Sequence, residues 1–78
     1  MKKETNVDMF VGSVFKEQRK KMKYSVRYMA ERLGVSSTSY YYYESGKMSM
    51  GINTFIKTCE ILGIDPDDLF ERSKRYIR

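Results

Sequence analysis

Residues 25–46 read SVRYMAERLGVSSTSYYYYESG, and the fold turns on them. Ser25 carries the short hydroxyl of a helix N-cap, able to accept from a free amide of the first turn. Met29, Ala30 and Leu33 then recur at three- and four-residue intervals, which predicts a helix with one apolar face. Gly34 stops that helix, because glycine takes the left-handed conformation past a helix end without a Cβ clash. Val35 plugs the turn and Ser36 offers the next cap, so only about three or four residues join two helices. The second runs to Glu44 or Ser45 and stops at Gly46.

Upstream, residues 1–8 read as a flexible lead-in, and a first helix is expected after Asp8, whose carboxylate can cap it. Val11, Val14, Phe15, Gln18 and Met22 recur at helical spacing and are apolar except at Gln18. Lys16, Lys20, Lys21 and Lys23 fall mostly elsewhere. Downstream, Lys47-Met48-Ser49-Met50-Gly51 form a loop. Ile52, Phe55, Ile56, Cys59 and Leu62 mark a fourth helix, closed by Gly63. Asp65-Pro66 opens a fifth, with aspartate as cap and proline at the first position, where it has no amide to leave unpaired. Leu69 and Phe70 supply its apolar contacts. The expectation is one all-α, compact five-helix domain over residues 9–71, with a basic C-terminal extension over 72–78.

Seventy-eight residues at 41% hydrophobic content suit a single small core. No apolar run approaches transmembrane length. Met1-Lys2-Lys3 begins like a signal peptide, but Glu4, Thr5, Asn6 and Asp8 follow where an apolar stretch would start. The one cysteine, Cys59, cannot form an intrachain disulfide and reads as core. These features predict a soluble, cytoplasmic protein. The net charge of +5 is uneven. Residues 16–32 carry seven basic side chains against Glu17 and Glu31, residues 57–71 carry Lys57 against five acids, and residues 72–78 are basic again. Such a one-sided field suits a polyanionic partner, although a basic run is equally often a solvated face.

The chain resembles the Cro/repressor-type helix-turn-helix family of phage and bacterial regulators, related to the xenobiotic-response-element type. The resemblance rests on Arg19, on Ser25…Met29-Ala30…Leu33-Gly34-Val35-Ser36, on Glu44-Ser45-Gly46-Lys47 and on Leu62-Gly63-Ile64…Leu69, across residues 12–70. It implies a lambda-repressor-like fold with the helix-turn-helix at helices 2 and 3, the latter lying in the DNA major groove. It also implies an ion pair between Arg19 and Glu44, and a loop at Lys47 that approaches the phosphate backbone. Val26 stands where the family often has glutamine, and Met50 where it often has proline.

At 100° per residue, with Ser37 at zero, Tyr41 falls at about 40°, Thr38 at about 100° and Tyr42 at about 140°. Ser39, Tyr43, Ser36, Tyr40 and Glu44 occupy the other side. Tyr40 and Tyr43 therefore read as core, while Ser37, Thr38, Tyr41 and Tyr42 point outward as base-reading candidates. A tyrosine hydroxyl can bond base edges, and its ring can lie on a thymine methyl. Lys23, Arg27, Ser36 and Lys47 are the phosphate candidates. Most have a plainer alternative: a protein contact or bare exposed ring for the tyrosines, solvation for the lysines and arginine.

Histidine is absent and one cysteine cannot build a zinc site, so no metal is expected. No nucleophile–base set or glycine-rich phosphate loop is present, which leaves no basis for an enzyme or a cofactor. The expected partner is double-stranded DNA, bound by a homodimer on a two-fold operator, with no membrane and no small-molecule effector. Ile64, Leu69, Phe70, Tyr76 and Ile77 are the expected apolar dimer surface. A simple repressor is the first reading. The alternatives are an antitoxin or control protein acting on its own operon, and a helical protein-interaction module using Tyr41 and Tyr42.

Overall fold

The computed structural model describes residues 6–76. They form α1 (Val7–Lys21), α2 (Val26–Leu33), α3 (Ser37–Ser45), α4 (Ile52–Leu62) and α5 (Pro66–Ser73), then a 3-10 turn, Lys74–Tyr76. No strand occurs among the described residues. The caps follow local chemistry. Ser25 Oγ accepts from the Tyr28 amide at 2.9 Å, Ser36 Oγ from the Ser39 amide at 3.0 Å, and Asp65 Oδ1 from the Asp67 amide at 3.0 Å. Gly34 and Gly46 end α2 and α3 at φ 72° and 80°, left-handed values that a side chain would strain.

The start of α1 differs from the sequence expectation. Asn6, not Asp8, is the cap, its Oδ1 accepting from the Met9 amide at 2.8 Å. Val7 and Asp8 are therefore helical and not part of a lead-in, whose residues 1–5 lie outside the described residues. Asp8 sits in the first turn, where a carboxylate suits the helix dipole.

Phe15, Met29, Ala30, Tyr40, Cys59, Leu62 and Leu69 form the buried core, drawn from all five helices. α1 packs on α3, α4 and α5, and α2 on α3 and α4. At Gly12, α1 comes so close to α3 that a Cβ would stand 2.5 Å from the Glu44 carbonyl oxygen and meet that of Tyr43. Gln18, the polar member of the α1 stripe, donates its Nε2 to the Leu62 carbonyl at 2.9 Å and so satisfies an open end of α4.

Three apolar assignments change. Met22 is the C-cap of α1 and is exposed. In α4 the buried stripe runs through Phe55, Thr58, Cys59 and Leu62, which leaves Ile52 and Ile56 at its edge, 67% and 40% exposed. Thr58 can be buried because its hydroxyl donates to the Thr54 carbonyl at 2.7 Å. Of the residues expected to form a dimer surface, Leu69 is fully buried, Ile64 packs on the core, and Tyr76 stacks on Phe10 with centroids 4.6 Å apart. Only Phe70 is exposed, and Ile77 lies outside the described residues. Arg72 and Ser73 complete α5 and the turn follows at once, so residues 72–76 fold back on α1, with the Arg72 guanidinium 5.8 Å from the Phe10 ring centre.

Burial, helped by Asp65 and Glu60, pushes the Cys59 thiol up from 9.0 to about 11. The unfolded thiol ionises first as pH rises, so stability present below pH 9 is lost on the way to pH 11. The loss should reach about 2–3 kcal/mol. Thermal melts across that range will show the descent, and Cys59→Ala, though less stable at neutral pH, will flatten its lower part. Its upper part remains, because burial also raises the Tyr40 hydroxyl above its ordinary value of 10.0. No helix of the described residues is long and apolar enough to cross a membrane.

Candidate nucleic-acid interface

α3 is nine residues long and has two unlike sides. One is fixed inward. Tyr40 is fully buried and meets Tyr43 edge-on at 6.4 Å. Glu44, buried beside them, accepts from Arg19 Nε at 2.6 Å and from Nη2 at 3.1 Å. The fork is the strong geometry for a guanidinium and a carboxylate. Arg19 Nη1 donates to the Tyr24 carbonyl at 2.9 Å. One guanidinium therefore ties the end of α1, the turn before α2 and the end of α3. Donating to the Glu44 carboxylate raises Arg19 above its already high value, so the guanidinium stays charged at any ordinary pH. The Tyr40 hydroxyl finds no hydrogen-bond partner among the described residues, and burial followed by the nearby Glu44 carboxylate raises it.

The other side faces water. Ser37 and Thr38 are exposed, Tyr41 is 54% exposed and Tyr42 36%. The Tyr41 and Tyr42 rings lie 6.1 Å apart, tilted at 51°. Lys47, in the loop just past Gly46, sets its ammonium 5.7 Å from the centre of the Tyr42 ring. This cation–π contact is worth about 0.5–1 kcal/mol in the open. It joins a base-reading candidate to a phosphate candidate, a link that the helix wheel does not reveal.

The remaining phosphate candidates are placed differently. Ser36 Oγ is occupied as a cap and also donates to Ser39 Oγ at 3.1 Å, so its side chain has little left to offer an outside anion. Arg27, in the first turn of α2, is exposed and shares a loose contact with Glu31 at 3.3 Å. Lys23 is exposed in the turn ahead of α2 at φ 62°, a left-handed conformation that costs a lysine about 1–2 kcal/mol. The turn is closed by the Tyr24 amide donating to the Arg19 carbonyl at 3.1 Å. Val26 packs against the core instead of facing outward.

Sequence reasoning passed over Gly12. A glycine in mid-helix is normally unfavourable by about 0.5–1 kcal/mol, which marks a close approach. It also passed over the ladder leading into α2, where the Tyr24 and Tyr28 ring centres lie 4.5 Å apart and Arg32 Nη1 donates to the Tyr28 hydroxyl at 2.9 Å.

A family model described as a helix-turn-helix domain matches residues 12–73. Two crystal structures of the clp gene regulator ClgR from Corynebacterium glutamicum are similar to this chain. One gives a TM-score of 0.82 over 92% of this chain and 77% of that one, and the other 0.80 over 96% and 97%. Both are 19% identical in sequence, so the likeness is one of fold. No curated protein sequence matches the chain.

Proposed function

This chain belongs to the helix-turn-helix domain family, and from that premise we propose that it is a transcriptional regulator that binds double-stranded DNA sequence-specifically. The reading is a repressor that occupies a two-fold symmetric operator as a homodimer. One observation carries it: α3 is clamped from within by Tyr40, Tyr43 and the Arg19–Glu44 fork, and presents Ser37, Thr38, Tyr41 and Tyr42 outward. Such a helix can enter the major groove as a rigid body. Lys47, just past the end of α3, and Arg27 and Lys23, in and before the first turn of α2, supply positive charge for phosphates, while the four outward side chains read base edges. The similarity to a gene regulator's fold is in keeping with this role.

Selection of bound fragments from random duplexes will recover an operator with two half-sites about 34 Å apart, one turn of B-DNA. A dimer neutralising about 8 phosphates will lose affinity with a slope of roughly −7 in log K against log salt. A slope near zero would end the DNA reading.

Tyr41→Ala and Tyr42→Ala will both keep the melting temperature near that of the parent, because neither ring is in the core. Both will lose discrimination between matched and mismatched duplexes, by about 1–3 kcal/mol per lost base contact. Tyr41→Ala will leave the salt slope alone. Tyr42→Ala also releases Lys47 and will lower the slope by up to about 1. If neither variant changes DNA binding and both abolish binding of a protein partner, α3 serves an interaction module.

A further inference from the structure

A groove of about 310 Å³ opens between α1, the end of α3 with its following loop, α4 and α5. Half-buried Val11, Tyr43 and Phe55 line it together with exposed Met48, Ile52 and Phe70. The volume lies at the lower end of the range for clefts that hold small organic molecules, and such clefts are apolar with a few polar groups that orient the guest. Here one lining residue carries charge: Asp8, in the first turn of α1. We propose that this groove binds a small amphiphilic organic cation, an aromatic or alkyl body bearing one ammonium group. Its residues come from distant stretches of the chain, so no local motif announces the site. Binding there does not depend on the DNA reading above.

Charge decides the class of guest. Asp8 is half-buried, and its Oδ2 accepts from Ser49 Oγ at 2.7 Å. Its Oδ1 accepts from no group among the described residues, which leaves it open to an ammonium donor. An anionic guest would meet the same carboxylate as a like charge. The start of α1 opposes a cation, but a helix dipole amounts to roughly half a charge, against the full charge on Asp8. The other hydroxyl on the lining, that of Ser73, is committed to the Phe70 carbonyl at 2.8 Å, apart from the phenol of Tyr43. The walls suit the same guest. Tyr43, Phe55 and Phe70 supply aromatic rings, whose faces attract an ammonium and whose area takes up an apolar body. Met48 and Met50, unbranched and polarisable, can reshape the wall around bodies of different outline. Tyr43 also meets Tyr40 edge-on at 6.4 Å, so a bound guest touches a residue that holds α3 in place.

The test uses three probes of one shape: phenylbutylamine, phenylbutanol and phenylbutyrate, which at neutral pH are a cation, a neutral molecule and an anion. Each is titrated into the free chain without DNA, with binding followed by calorimetry and by the amide signals in NMR spectra. The amine will bind at least about tenfold more tightly than the alcohol, the gain from one charge-assisted hydrogen bond. The butyrate will bind more weakly than either. Shifts will centre on Asp8, Val11, Tyr43, Met48 and Ile52, while α2, which contributes no residue to the groove, will move little. Asp8→Asn keeps an oxygen acceptor for Ser49 and will bind the amine no better than the alcohol, with its alcohol affinity little changed. Ile52→Lys, at an exposed edge of the groove, will weaken the amine more than the alcohol. Melting temperatures will confirm that both variants fold. An amine that binds the parent no more tightly than the alcohol, a preference for the butyrate, or an amine preference that survives Asp8→Asn overturns the proposal. So do amine-induced shifts that never saturate or that scatter over the whole surface.

Discussion

Arg19→Met will cost the domain about 3–5 kcal/mol, a large share of the stability that a chain of this size possesses. The Arg19 and Glu44 side chains are only 11% and 3% exposed. With arginine gone, the carboxylate is left without its partner where water barely reaches it, and that stranding, more than the lost attraction, sets the cost. The Tyr24 carbonyl loses its donor as well. Glu44→Gln keeps the shape and an oxygen acceptor, so it will cost less, about 1–3 kcal/mol. The double variant will lose clearly less than the sum, because the second change removes the group that the first strands. Denaturant titrations of the four proteins will measure this coupling, and additive losses would mean that the two side chains do not interact. The pair Arg27–Glu31, 83% and 67% exposed, provides the contrast, since Arg27→Met will move stability by less than about 1 kcal/mol.

Gly12→Ala will be nearly as damaging. In an open helix the change would stabilise, since alanine is the better helix former by about 0.5–1 kcal/mol. Here the added methyl lands on the Glu44 and Tyr43 carbonyl oxygens. Both belong to backbone and neither can swing aside, so α1 and α3 must part. The loss will be about 3 kcal/mol or more, beyond usual overpacking because the obstacle is a helix and not a side-chain tip. Separation also lengthens the Arg19–Glu44 fork, so the effects of Gly12→Ala and Arg19→Met will not add. Ser13→Ala, one residue along on the exposed side, will change the melting temperature little. A Gly12→Ala protein as stable as its parent would show that α1 and α3 do not meet this closely.

The legible parts of the fold were those decided within a few residues. Ser25, Ser36 and Asp65-Pro66 start helices, and Gly34, Gly46 and Gly63 end them, because each cap acts on the turn beside it. Asn6 and Asp8 illustrate the limit. Both are capable caps two residues apart, and only the packing of the first turn chooses between them. Tertiary choices were harder to read. The α4 stripe includes Thr58 and leaves out Ile52 and Ile56, since a threonine that bonds its own helix can be buried and an isoleucine at the edge of a small core cannot be covered. Leu69 and Ile64 were needed inside by a core too small to spare them. At the candidate interface, the helix wheel separated the two pairs of tyrosines correctly because α3 is one short unbroken helix. The Arg19–Glu44 pairing came from family likeness, since nothing local links residues 25 positions apart. The seat of Lys47 over Tyr42 needed coordinates.

The two-sided character of α3 has a consequence for descent. What holds the helix, Tyr40, Tyr43 and Glu44, and what it shows, Ser37, Thr38, Tyr41 and Tyr42, are separate sets of positions. Mutations at the shown positions can accumulate almost free of any stability toll, while Arg19, Glu44 and Gly12 are bound to one another and resist change. On the proposed DNA reading, two copies made by gene duplication can acquire different target preferences in a few steps without first finding compensating changes in the interior. The exposed tyrosine pair is one setting of an interchangeable part.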